Sequence, residues 1–165
     1  MISIRPPRSS DQEVFLAAVR RSRRLHRPWV CPPGSASSFR QALIRWKRPT
    51  HAAFFIWRAR HDLVGVVNLS EIVRGSFQSA YLGYYAFEPF ARRGLMQEGL
   101  ALVIAEAFDT MKLHRLEANI QPANKASRRL VKRLGFKREG VSPRYLKIAG
   151  RWRDHERWAL LSEEW

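Results

Sequence analysis

The chain has 165 residues, of which 45% are hydrophobic, enough for one domain with a proper core and too many for a disordered tail. A single cysteine, Cys31, excludes an internal disulfide framework and fits a reducing compartment; with five scattered histidines it builds no zinc-type cluster, so no metal is expected. Thirty Lys+Arg against fourteen Asp+Glu give a net charge of +16, which disfavours polycationic substrates and favours a polyanionic partner such as nucleic acid.

The N-terminus, Met1 to Pro7, has no long apolar core and no run reaches membrane-span length, so neither signal peptide nor membrane segment is expected. Ile2 to Ile4 alternates with polar residues as a short strand. Ser9-Ser10-Asp11-Gln12-Glu13 starts a helix that runs to about Leu25, its end enriched in arginine (Arg20 to Arg24). Three prolines and Gly34 make His26 to Gly34 a loop. Ser35 to Lys47 reads as a second helix, with Ser37 or Ser38 as N-cap and Pro49 as terminator.

Three strand-like runs follow, Ala52 to Trp57, Leu63 to Leu69 and Gln78 to Phe87, with Arg60-His61-Asp62 as a hairpin turn between the first two. Arg92-Arg93-Gly94-Leu95-Met96-Gln97 then leads from strand to helix, which runs to about Met111. Arg115 to Ile120 is a strand, Asn124 caps a helix ended by Gly135, and two last strands, Phe136 to Lys147 and Trp152 to Leu161, turn at Ala149-Gly150. The order β-αα-βββ-α-β-α-ββ predicts an α/β (α+β) fold. Its sheet is mixed, mostly antiparallel and six- to seven-stranded, with helices on both faces. No repeat or linker divides the chain, so residues 1–165 are expected to form one domain.

A strand that turns through basic residues and glycine into a helix N-terminus leaves backbone N–H groups free to cradle phosphate. The spacing is neither a P-loop nor a dinucleotide fingerprint. It resembles the pyrophosphate loop of GCN5-related N-acetyltransferases (GNAT), Gln/Arg-x-x-Gly-x-Gly/Ala, with departures at Ala91 and Met96. A surface turn capped by arginines is the plain alternative. Further residues carry the resemblance into the RimJ/RimL-type ribosomal-protein alanine N-acetyltransferases: Tyr81-Leu82-Gly83-Tyr84, His114-Arg115-Leu116, Ala118-Asn119, Asn124-Lys125, Leu134-Gly135-Phe136 and Trp152-Arg153-Asp154-His155. It covers roughly Gly65 to Leu160. Methionine at the position of Met96 also occurs in the RimJ branch, which removes one departure.

The resemblance implies acetyl-CoA as cofactor and a splay between the strands near 81–87 and 115–120. Backbone groups of Tyr84, Tyr85 and Ala86 would hold the pantetheine, and Arg92, Arg93, Gly94, Leu95, Met96 and Gln97 the pyrophosphate. The Asn-x-x-Ser pattern falls on Asn124 and Ser127, with Asn124 at the cofactor and helix capping as its alternative role. Many relatives carry a tyrosine seven residues after that asparagine as proton donor; here the position is Val131, so Ser127 is the expected donor.

Direct attack on a thioester needs a neutral amine. A free α-amine has a pKa near 7.7–8.0 and lysine one near 10.4, so an N-terminal acceptor needs only a weak base. Glu117 is the expected catalytic carboxylate, with Glu71, Asp154 and His155 as further candidates and turn or strand roles as the alternative for the last two. The expected acceptor is the N-terminal alanine of a ribosomal protein such as S5, in the cytoplasm, with the enzyme a monomer or homodimer. The alternatives are a ribosome-assembly factor that meets a ribosomal subunit or rRNA through its basic surface, and a small-molecule amine acetyltransferase.

Overall fold

A computed structural model describes residues 1–59 and 61–165. Seven strands form one sheet: β1 (Ile2–Arg5), β2 (Ala52–Arg58), β3 (Asp62–Val73), β4 (Ser79–Ala86), β5 (Arg115–Ile120), β6 (Lys137–Ile148) and β7 (Arg151–Leu161). Their spatial order is β1-β2-β3-β4-β5-β7-β6. Only the β4–β5 pair is parallel, as expected for two strands joined through a helix. The helices are α1 (Gln12–Arg21), α2 (Arg23–His26), α3 (Ala36–Trp46), α4 (Leu95–Ala105) and α5 (Lys125–Arg133). No helix among the described residues is long and apolar enough to cross a membrane.

Strand alternation divides the core. Along β2, Phe54 and Ile56 face α4 and α5, while Phe55 and Trp57 face α1 and α3. On the first face Val67, Leu69, Leu100, Ile104, Leu116 and Leu160 close a continuous apolar layer. On the second, Phe15 stacks on Phe55 at 5.5 Å, with Phe39, Trp46 and Phe87 around them. Each such side chain contributes about 1.5–3 kcal/mol on burial. Two glycines let the layers close: a Cβ on Gly99 of α4 would lie within 2.7 Å of three Ile56 carbons, and one on Gly65 of β3 within 2.7 Å of the Tyr85 carbonyl, overlapping the Met96 sulfur as well.

The element order matches the expected one, with local differences. The first helix is not continuous to Leu25: it breaks at Ser22, whose hydroxyl accepts from the Glu88 amide at 2.9 Å. The N-cap of α3 is Ser35, not Ser37 or Ser38; its hydroxyl accepts from the Ser38 amide while the Ser38 hydroxyl accepts from Ser35 in return. Strand β3 continues past Leu69 to Val73 through a left-handed Glu71 (φ 49°). Helix α4 stops at Ala105 and a π-helical turn, Glu106–Thr110, carries the chain on. The expected turn at Arg60-His61-Asp62 includes Arg60, which lies outside the described residues; β2 and β3 do pair antiparallel, Arg58 opposite Asp62.

Candidate active site

Strands β4 and β5 pair only at their start, Ser79–Tyr81 against Arg115–Glu117, and beyond that register no pairing joins them. Leu82 to Ala86 on one side and Ala118 to Gln121 on the other border a cavity of about 910 Å³. This is the splay expected near 81–87 and 115–120.

The unpaired edge has a definite hydrogen-bonding pattern. Phe87 N–H donates to the Val64 carbonyl at 2.8 Å, and the register places Tyr85 opposite Val66. In an antiparallel ladder hydrogen-bonded pairs alternate, so the amide and carbonyl of Tyr85 are spent on β3, while those of Tyr84 and Ala86 point into the opening. The Ala86 carbonyl accepts from His26 Nε2 at 2.6 Å. The Tyr84 N–H and C=O and the Ala86 N–H remain for a ligand. The His26 bond also anchors α2 to the rim, and burial lowers the imidazole pKa, with the Ala86 bond opposing.

The loop after β4 is built for anions. Arg92 (φ 63°) and Gly94 (φ 81°) both take left-handed backbone, and Gly94 caps α4 with no side-chain acceptor on the first-turn amides. The space a Gly94 side chain would occupy is open. Met96 is buried against Gly65 and fixes the first turn on the sheet. Arg24, Arg92, Lys125, Arg129 and Arg133 line the cavity, and no carboxylate does among the described residues. Arg93 stays exposed beside the loop, and Gln97 lines the wall behind it.

Across the opening, the Asn124 side-chain carbonyl accepts from the Ser127 amide at 3.1 Å, so Asn124 does cap α5, which leaves its amide nitrogen for other contacts. The Ser127 hydroxyl lies 2.6 Å from the Tyr84 hydroxyl. Burial pushes the Tyr84 phenol up to about 12, partly offset by the Ser127 contact, so it keeps its proton. The same phenol reaches the Ser127 carbonyl at 3.3 Å, where it can only donate. The phenol has one proton to give: donated to the Ser127 hydroxyl, it leaves the Ser127 proton free to turn into the cavity, and donated to the carbonyl, it makes Ser127 the donor of the 2.6 Å contact. The Tyr84 side chain is a partner that sequence reasoning missed, having given Tyr84 a backbone role alone; residues 43 apart in the chain meet here through the fold alone.

Glu117 is not brought to Ser127. It sits at the closed end of the splay, opposite Tyr81, does not line the cavity, and accepts from Arg115 Nε at 2.8 Å. Arg115 also holds Glu139, so Glu117 belongs to an ion network along the sheet. Asp154 accepts from the Arg144 amide at 2.7 Å within the β6–β7 hairpin, and Glu71 is exposed at the β3 irregularity. Of the further candidates only His155 lines the cavity.

The cavity therefore offers free strand backbone, a helix N-terminus with no side-chain cap, an excess of cations and a half-buried hydroxyl pair. Those features fit a long polyanionic ligand with an amide-bearing arm, as coenzyme A is.

Comparisons with known proteins agree. The model of the family described as acetyltransferase (GNAT) domain matches residues 2–137. The Escherichia coli [ribosomal protein uS5]-alanine N-acetyltransferase is 44% identical over 104 residues, 63% of this chain and 54% of that protein. "Probable N-acetyltransferase YjcK" of Bacillus subtilis is 39% identical over 112 residues, 67% of this chain and 62% of that protein. The matches thus span between half and two thirds of these relatives' own lengths. Among solved structures, Mycobacterium smegmatis RimJ in complex with CoA-disulfide superposes with a TM-score of 0.91 at 25% identity, covering 99% of this chain and 83% of that one. The ribosomal-protein-S5-alanine acetyltransferase of Vibrio fischeri gives 0.87 at 26% identity, covering 99% and 94%. On its family match, its seven-stranded splayed sheet and these neighbours, the chain belongs to the GNAT acetyltransferases, a family whose acyl donor is acetyl-CoA.

Proposed function

We infer that this chain is an N-acetyltransferase for protein N-terminal α-amines, with the N-terminal alanine of a ribosomal protein of the S5 type as acceptor, working in the cytoplasm as one domain over residues 1–165. The observation that carries the reading is the half-paired β4–β5 junction with its cationic, carboxylate-free lining. The names of the Escherichia coli and Vibrio fischeri relatives support the acceptor.

When bound, acetyl-CoA supplies an activated acetyl thioester. In this reading the free backbone groups of Tyr84 and Ala86 take the pantetheine arm, and Tyr85 supports them from the β3 side. Arg92, Arg93, Gly94, Leu95, Met96 and Gln97 form the pyrophosphate cradle, with Met96 acting by packing and the rest by N–H groups and charge. Asn124 holds the start of α5 so that Ser127 faces the opening. The Ser127 hydroxyl, fed by the protonated Tyr84, protonates the leaving sulfur. Glu117 contributes through the Arg115 network instead of meeting the acceptor.

Incubation with acetyl-CoA and a peptide carrying the N-terminal alanine, followed by mass spectrometry, tests the proposal. One added acetyl group on the α-amine is expected. No added mass at saturating substrates, or modification confined to lysine or polyamines, would remove it.

A second reading rests on charge outside the cavity. Arg20 and Arg21 on α1, Arg23 on α2 and Arg27 just beyond it are exposed, and the chain as a whole carries +16. A ribosomal subunit met through rRNA phosphate would use that face, and binding would then weaken steeply with added salt. The two readings can hold together.

A further inference from the structure

Two polar side chains reach the opening from the sheet face opposite Tyr84 and Ser127. His155 lies on β7 and is only 3% exposed, yet it lines the cavity. Strand parity sets it against the α5 side: Glu156 and Trp158 turn to α5 and the core beneath it, so His155 and Arg157 turn the other way. Asn119 on β5 alternates with Ala118 and Ile120, which face the α4–α5 core, so it shares the face of His155. It pairs with Arg157, which makes His155 its diagonal neighbour, at a separation of about 7–8 Å.

Their hydrogen bonds define what they can receive. His155 Nδ1 lies 2.9 Å from the Arg153 carbonyl. A carbonyl only accepts, so Nδ1 carries the proton and Nε2 of the neutral ring presents a lone pair. The Asn119 side-chain carbonyl oxygen is buried with no partner. An orphaned buried acceptor is costly unless a donor arrives. A basic nitrogen at one wall of a cavity whose other polar wall is the Ser127–Tyr84 pair, with an unsatisfied oxygen sealed just beneath that wall, makes a receptor for an N–H group once the Asn119 side chain turns outward.

We propose that His155 is the base that takes the proton of the attacking amine, and that Asn119 is a positioning residue which holds this amine through its side-chain carbonyl. The assignment rests on the acetyltransfer reading above. The amine nitrogen forms its bond to the acetyl carbon as the C–S bond breaks and the electron pair leaves on sulfur. The amine N–H proton passes to Nε2, and the sulfur is protonated from Ser127. The imidazolium and the hydroxyl pair are then reset by solvent through the open cavity.

His155→Asn places an amide nitrogen near the position of Nδ1 and has nothing at Nε2, so it keeps the Arg153 tether and removes the base. Its kcat is expected to fall about 100-fold or more with the KM for acetyl-CoA unchanged. Asn119→Leu is expected to raise the KM for the alanyl peptide about tenfold, with the KM for acetyl-CoA near wild type. A readout without turnover uses protein labelled with 15N-histidine and loaded with CoA. Addition of the alanyl peptide is expected to shift the Nε2 resonance that His155→Asn deletes, and Asn119→Leu is expected to move that titration to about tenfold higher peptide.

An active wild type whose His155→Asn variant keeps its rate, or a peptide that binds without moving that resonance, overturns the base assignment alone. A fully folded wild type that binds CoA and acetylates no alanyl peptide, lysine or polyamine overturns the acetyltransfer reading, and the assignment with it.

Discussion

Ser127→Ala and Tyr84→Phe, made singly and together, test whether the two hydroxyls act as one unit. Ser127 faces the cavity, and Tyr84 sits behind it at 2.6 Å with its proton held by burial. Removal of a general acid costs about 10²–10⁴-fold in rate, so Ser127→Ala is expected to lower kcat at least 100-fold. Tyr84→Phe removes the bond that orients the serine proton. One net hydrogen bond is worth about 0.5–1.5 kcal/mol, so kcat is expected to fall only about 2- to 12-fold. Because Tyr84 acts through Ser127, the double variant should be no slower than Ser127→Ala. Stopped-flow release of free thiol reads all three rates, and thermal melts check folding. Multiplied effects in the double variant would mean that the phenol reaches the reacting atoms by its own route, and the relay would be wrong.

Gly99→Ala sets a clash with Ile56 against better helix propensity; overpacking at about 1–3 kcal/mol outweighs a gain of about 1 kcal/mol, so urea melts should show a net loss that largely disappears in an Ile56→Ala background. For His26, the folded-state pKa lies below the unfolded value near 6.5, so the unfolded chain binds the extra proton as pH falls; stability should decline below about pH 6.5, and His26→Gln should flatten that decline in melts at pH 7 and pH 5. Joint replacement of Arg92 and Arg93 by alanine should raise the KM for acetyl-CoA about 3- to 10-fold at low salt, with the difference shrinking as salt is added, because both charges are exposed.

Where a stop signal adjoins a clear period, the sequence spoke for itself. Arg115 to Ile120 alternates cleanly and ends at Gln121-Pro122, and the observed strand has those bounds. Asn124 and Gly135 bracket α5 because a side-chain carbonyl and a left-handed glycine satisfy opposite helix ends. The break at Ser22 was hidden, since it depends on an amide 66 residues away. Ser35 lost out to Ser37 and Ser38 in the reading because which serine caps depends on where the preceding loop turns extended, and Ser35 alone has that backbone.

The cradle from Arg92 to Gln97 was legible because glycine, charge and a helix start are local features. The choice between Glu117 and His155 was not. Parity puts both on one face, but only the register shows that β4 and β5 separate after Glu117, which leaves the carboxylate at the closed end and the imidazole at the open one. The Tyr84–Ser127 contact likewise exists only once α5 is laid across β4.

The central claim is that the backbone of the β4 edge, freed by its separation from β5, receives coenzyme A. Residue-resolved amide exchange by NMR, with and without saturating CoA, tests it. Exchange at Tyr84 and Ala86 should slow sharply on binding, while Tyr85, already bonded to Val66, should change little. Unchanged Tyr84 and Ala86 amides in a protein that binds CoA would place the cofactor elsewhere and contradict the account.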